Sequence, residues 1–256
     1  MNKLFGTMMT AAALTMTAGA ASAAEQLSQQ RAIDARVLKV NLGGVINLHI
    51  KQGATPSLML IGDKADVARI SVTQSGDTLT IDSERGGWHW GRNDSHDVRA
   101  ELTLPNLNEL VSHGVGATEV DGFSGNEVRL TLDGAGAVNL TSQYRNVIAR
   151  LGGVGSMTLN TGDAEQVDLK LRGAGHINVN GHSKLLRASL GGVGSLDARK
   201  LEADAVELDM SGLGGATVFA RTSANVKLSG LGSATIYGKP GNRSAEARGL
   251  GSVSWE

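Results

Sequence analysis

Eight Gly-x-Gly triplets carry the residue type and spacing in this chain that most invite a chemical reading. They begin at Gly114, Gly134, Gly153, Gly173, Gly192, Gly212, Gly230 and Gly249. A glycine-rich turn can bring backbone N–H groups against a phosphate. Such a loop occurs once, between a strand and a helix, with a Lys or an acidic partner downstream. Here the triplet recurs, and its middle residue is always apolar: Val115, Ala135, Val154, Ala174, Val193, Leu213, Leu231 and Leu250. A nucleotide cradle is excluded on that pattern. Calcium-binding nonapeptide solenoids need an Asp in every turn and a much shorter period. Asp197 offers one, but its equivalents are Glu119, Asn139, Thr158, Asn178, Thr217, Thr235 and Ser254.

Acid–base chemistry needs clustered carboxylates, or an acid beside Arg or Lys. Asp133, Asp168 and Arg172 are the nearest approach to such a set. They stand in columns whose signs alternate, as on a solvated face, so no catalytic residue is assigned. No two of the six His share a metal-like spacing within one strand. The chain has no Cys, which removes a thiol nucleophile, a thiolate metal site and a lipid-modified N-terminal Cys. No metal or cofactor is expected.

The steps between triplets are 20, 19, 20, 19, 20, 18 and 19 residues. On both sides the apolar positions recur every second residue. Leu132, Leu151, Leu171, Leu190 and Leu228 stand two before the first Gly; Val138, Met157, Ile177 and Leu196 stand four after it. That is the period of strands, with no 3.6-residue signal. A strand–corner–strand unit cannot bury its apolar face alone, but stacked copies can. The expected fold is all-β: a right-handed parallel β-helix, or solenoid, with ~19–20-residue coils and Gly-x-Gly corners. Eight coils about 4.8 Å apart make a rod of roughly 38 Å. The glycines then serve tight corners or the close approach of neighbouring coils.

Residues 1–23 read as a signal peptide: Lys3, an apolar run, and a cleavage site at Ala21-Ser22-Ala23. Residues 24–256 read as one continuous domain. Its 24–110 part holds atypical N-terminal coils and a cap, and its 111–256 part the regular repeats. The run "RVLKVNLGGVINLHIKQG" suits a first coil with Gly43-Gly44 at its corner, "SLMLIGD" and "DTLTID" suit strands, and "KADVARI" a short helix. The insertion from Glu84 to Asp97 holds Trp88, His89 and Trp90, which could stack on a sugar ring or a partner surface. At the other end, Trp255 is a candidate plug for the last coil; the alternative is pairing with a second molecule.

Lys+Arg number 24 and Asp+Glu 25, so no field draws in nucleic acid or anionic lipid. No later run is long and apolar enough to span a bilayer as a helix. The outward columns after the corner are small and nearly uncharged, and include Thr158, Asn178, Thr217 and Thr235. Those four join Trp88, His89 and Trp90 as candidate binding residues.

The order "VINLHIKQG", "LIGD", "GDTLTI", "LTLPNLNELVSHGVGATEV", the repeated triplets, "ATIYGKPG" and "RGLGSVSW" resembles the auto-transporter adhesin head domain (GIN-type) family, from about Ile33 to Trp255. The resemblance implies a right-handed β-helix-like fold, export and no established enzymatic activity, and it carries over no catalytic residues. Many members are lipid-anchored through an N-terminal Cys, which this chain lacks. The expectation is an exported, non-catalytic, adhesin-like or envelope interaction module. It would sit in the periplasm, on the outer cell surface or in the medium, with a glycan or protein surface as partner, or a second copy of itself. Two alternatives stay open: a polysaccharide-active β-helix enzyme and a self-associating structural envelope protein.

Overall fold

The computed structural model describes residues 26–83 and 98–256. It is a parallel β-solenoid of about 7 turns, with coils about 20 residues apart. Its strands run β1 (Gln26–Arg31), β2 (Lys39–Leu42), β3 (Asn47–Gln52) and β4 (Ser57–Asp63), then a one-turn helix α1 (Lys64–Val67). There follow β5 (Ile70–Ser75), β6 (Thr78–Ser83), β7 (Arg99–Leu104) and β8 (Glu109–Ser112). Each of the next strands wraps most of a coil: β9 (Val115–Leu132), β10 (Ala135–Leu151), β11 (Val154–Leu171), β12 (Ala174–Leu190), β13 (Val193–Met210) and β14 (Leu213–Leu228). The last are β15 (Leu231–Tyr237), β16 (Asn242–Ala247) and β17 (Ser252–Trp255). The expected first coil, strands and short helix of residues 39–83 all form.

The corner sets the stacking. Each coil reaches it with an inward side chain such as Leu132 or Leu151, and leaves it with another such as Val138 or Met157. Both glycines of a triplet sit over the matching glycines of the coil before. A Cβ on Gly155 would overlap the carbonyl oxygen of Gly136, and one on Gly153 that of Gly134. That oxygen of Gly134 already accepts the Val154 N–H at 3.0 Å, and the same bond recurs from Ala174 to Gly153 and from Val193 to Gly173. The close approach therefore satisfies the corner's backbone groups and forbids a side chain there.

The register holds without a slip from Ala135–Val154 to Thr141–Asn160, and again from Asn146–Gln166 to Leu151–Leu171. The irregularities fall between these arms, at Thr141/Asn146, Asn160/Asp163, Asn178/Asn180 and Ala198/Glu202. The uneven repeat length is absorbed there, at a second bend opposite the glycine corner. Phe123, Tyr144, Ala164, Leu201 and Ala220 fill the core behind it. The Tyr144 hydroxyl donates to the Leu107 carbonyl, which ties this bend to the link between β7 and β8.

The N-terminal strands cap the open end. β6 and β7 pair in parallel with β2 and β3, so they trace one more coil outside the first. Beyond them the direction reverses: β4 lies antiparallel to β7, β1 antiparallel to β4, and β5 forms a hairpin with β6. The repeat pattern alone does not announce this reversal. Antiparallel pairing ends the parallel stack and shields its edge. At the other end Trp255 packs partly buried against the core, with the Arg243 guanidinium 5.5 Å from its ring centre.

Two outcomes follow from the stacking. Gly155→Ala is expected to destabilise by about 3 kcal/mol, read as a fall of about 10 °C in Tm, because the obstacle is backbone and no rotamer relieves it. Gly191→Ala, whose Cβ would meet nothing nearer than the Ser211 hydroxyl at 3.5 Å, should change stability by less than about 0.5 kcal/mol. Burial pushes the Tyr144 phenol up to about 12, from 10.0. The folded chain thus holds a proton that the unfolded chain releases near pH 10. Tyr144's contribution is complete below pH 10 and disappears as pH rises through 12. Denaturation measured across that window should show the fall, and Tyr144→Phe should flatten it.

Candidate functional site

The two arms of the coils present opposite kinds of surface. The arm before the glycine corner points charged side chains outward: Arg129, Arg150, Asp168, Lys170, Arg187, Glu207, Asp209 and Lys227. Arg187 Nε donates to Glu207 Oε2 at 2.8 Å across neighbouring coils, and Gln166 Nε2 donates to Asp168 at 2.9 Å. An open cavity of about 460 Å³ lies among Arg150, Asp168, Lys170, Arg187, Glu207 and Asp209. Asp133 is not among its walls; it stands at the corner, beside Gly152. The Asp133–Asp168–Arg172 grouping considered for acid–base chemistry is therefore spread between corner and arm.

The arm after the corner is nearly neutral. Ala117, Ala137, Ser156, His176, Ser195, Gly215, Ser233 and Ser252 form one ladder. Glu119, Asn139, Thr158, Asn178, Asp197, Thr217, Thr235 and Ser254 form the next. Thr158 and Asn178 are thus direct neighbours, as are Thr217 and Thr235, with Asp197 between the two pairs. Small hydroxyls link some rungs: Ser254 donates to Thr235 Oγ1 at 3.2 Å, and His176 Nδ1 lies 2.6 Å from Ser195 Oγ. Trp88, His89 and Trp90 lie outside the described residues. The flanking strand end is defined: Ser83 Oγ accepts the Val45 N–H at 3.2 Å, beside the first glycine corner.

Two features escape a reading by columns. The first is a donor set assembled from distant residues. His49 pairs in register with Glu119, and its Nε2 lies 3.0 Å from Asp121 Oδ2. One donor atom from each of the three falls within 4.8 Å of the others. It is the single set among the described residues with metal-like proximity, and as it stands it is a part-exposed His–Asp contact with a second carboxylate beside it. No spacing within one strand could reveal it. The second is the exposure of the residue between the glycines. Strand parity, continued through the corner, was the signal that could have found it.

The residue-level picture can be set beside known proteins. The chain belongs to the family described as "Putative auto-transporter adhesin, head GIN domain", whose model matches residues 38–240. Solved structures share the fold at low identity. A putative adhesin from Parabacteroides merdae is 16% identical with a TM-score of 0.77, over 90% of this chain and 96% of that one. A putative adhesin from Bacteroides fragilis is 20% identical with a TM-score of 0.67, over 91% and 98%. A putative lipid binding protein from Parabacteroides distasonis is 18% identical with a TM-score of 0.77, over 90% and 96%. No curated protein matches the chain.

Asp197 is the one carboxylate in the middle of the neutral arm, and its charge is answered locally. Arg199 donates to it from Nε at 3.2 Å and from a terminal nitrogen at 2.7 Å. This bonding holds the Asp197 carboxyl below the usual carboxylate range. The charged form is the one the fold favours, so its contribution is present above the ordinary Asp value and is lost as pH falls through the lowered one. NMR titration should show Asp197 protonating at lower pH than a free Asp, and Arg199→Ala should return it toward 3.8.

Proposed function

We propose that this chain is an exported, non-catalytic, adhesin-like binding module of the cell envelope that meets its partner through the neutral arm. One observation carries the reading: the two arms are chemically opposite. One is a solvated, ion-paired face, and the other keeps two in-register ladders almost free of charge over eight rungs. A face that need only be wetted gains nothing from such neutrality. A face that must shed water against a partner does, because few charges have to be desolvated. Thr158, Asn178, Thr217 and Thr235 supply hydrogen-bonding groups at regular spacing to a glycan or protein surface. Residues 24–256 act as one domain, with 1–23 as the export signal and Trp88, His89 and Trp90 as a second candidate contact.

The polysaccharide-active alternative would use the cavity on the charged arm. A general acid there would hold a carboxyl raised above its ordinary value. Asp34, Asp77, Glu165 and Asp197 are lowered, not raised, by hydrogen-bonding or cationic neighbours. In that cavity Glu207 accepts from Arg187 and Asp168 accepts from Gln166, so these two carboxylates are engaged in bonds of the solvated face. The non-catalytic reading is therefore preferred.

External protease on intact host cells, followed by blotting, tests export and exposure together. Removal from intact cells supports a surface-facing module. Protection that persists after the outer membrane is opened would overturn export. The face is tested by Thr158→Lys with Asn178→Lys: association with cells or envelope material should fall at least about tenfold while the fold, read by circular dichroism, is kept. Unchanged association would remove the neutral arm from the proposal.

A further inference from the structure

An apolar ridge runs along the glycine corner. Val45 is 50% exposed, Val115 51%, Val154 61%, Val193 56%, Leu213 48%, Leu231 49% and Leu250 86%. Among the described residues the other large apolar side chain so exposed is Met59. The ridge is continuous in register: Val45 bridges Val115, and Val115, Ala135, Val154, Ala174, Val193, Leu213 and Leu231 follow as direct neighbours. Scattered exposed valines need no explanation, but a single unbroken file does.

The ground beside the ridge is shaped to receive another ridge. On one side lies the file of second glycines, Gly116, Gly136, Gly155, Gly175, Gly194, Gly214 and Gly232, with no side chains at all. Beyond it stand only Ala117, Ala137, Ser156, His176, Ser195, Gly215 and Ser233. The other side has its own file of first glycines, from Gly114 to Gly230, but behind it the larger or charged His113, Asp133 and Arg172 stand among Gly152, Gly191, Ser211 and Ser229. The accessible groove is thus on the neutral side.

We infer that two copies of this chain dock along this edge, with their solenoid axes parallel about a two-fold, so that each ridge lies in the other's glycine groove. The inference rests on the reading that the neutral arm is the contact side, and it names a second copy as the occupant at the corner. In that arrangement every coil meets the same coil of its partner, and the interface is self-complementary. The outer ladder of one copy then faces the column before the corner in the other. Glu119 would oppose the partner's His113, Asn139 the partner's Asp133, Asn178 the partner's Arg172, and Thr217 the partner's Ser211. No like charges meet. The strip is about 34 Å long over seven coil steps and roughly 20 Å wide, so about 600–700 Å² per copy is covered. The total, roughly 1,300 Å², lies within the range of stable dimers.

Sedimentation or light scattering on the exported chain should find a dimer at about 10 µM. Val154→Lys with Val193→Lys should weaken it about 100-fold or more while circular dichroism is unchanged. The chain has no Cys, so Val154→Cys and Leu213→Cys each introduce a single thiol. With parallel axes, both single variants should form disulfide-linked dimers on mild oxidation. A chain that stays monomeric at 100 µM overturns the inference, as does a dimer that survives the two lysines. Crosslinking at one of the two positions alone overturns the parallel arrangement. A monomer that binds neutral phospholipid vesicles through the ridge overturns it in favour of a lipid surface. In any of these cases the effect of Thr158→Lys with Asn178→Lys on envelope association still decides, separately, whether the neutral arm is the contact side.

Discussion

The solenoid depends on one contact: the backbone of each glycine corner lies against the backbone of the corner before it. Carbonyl oxygens of Gly134, Gly153 and Gly173 occupy the space where the next coil's Cβ atoms would stand. They also accept that coil's N–H groups. The two facts have the same cause. Hydrogen bonding across a corner this tight pulls the coils to a spacing that only hydrogen substituents permit. Strand propensity opposes glycine on both arms, where Leu, Val and Ile build the core, so the glycines are confined to the place where sterics outweigh propensity.

That confinement dictates what the corner shows to solvent. Buried Leu132 and Val138 flank the corner, Gly134 and Gly136 lie half-buried against the backbone of the coil before, and Ala135 is exposed. The corner offers one outward side chain per coil. A polar residue there would be the ordinary choice for a wet edge. Valine, leucine and alanine at every rung are therefore a property of the surface and not a requirement of the turn, since nothing in the hydrogen bonding of Val154 or Val193 needs an apolar side chain.

The parts of the structure legible in the sequence are those governed by the repeat. Leu132, Leu151 and Leu171 mark the core column, the triplets mark the corners, and the Thr158–Asn178 and Thr217–Thr235 neighbours follow from their equal offset from the triplets. What the repeat does not govern stayed hidden. The second bend has no fixed residue type, because Phe123, Tyr144, Ala164 and Leu201 solve the same filling problem differently in coils of unequal length. The antiparallel turn-back of β4 and β1 depends on which edge is open, a tertiary fact with no local marker. His49 meets Glu119 and Asp121 only because β3 and β9 become neighbours across the inserted cap.

That insertion explains how the molecule is organised at its N-terminal end. The chain lays down one coil with β2 and β3, leaves it, builds the cap, and returns at β8 and β9 to stack on the opposite edge of the same coil. The first coil is thus clamped between cap and repeats, with β6 and β7 on one side and β8 and β9 on the other. The two arms of the cap coil are β6, which ends at Ser83, and β7, which begins at Arg99. The Ser83 end of β6 is held against Val45, the first rung of the apolar ridge. Cap and ridge therefore meet at one edge. Whatever approaches the ridge along its length reaches, at the N-terminal end, the Ser83 end of β6. The glycine corners and this end of the cap share one edge, and the solenoid's tightest backbone contact decides where that edge lies.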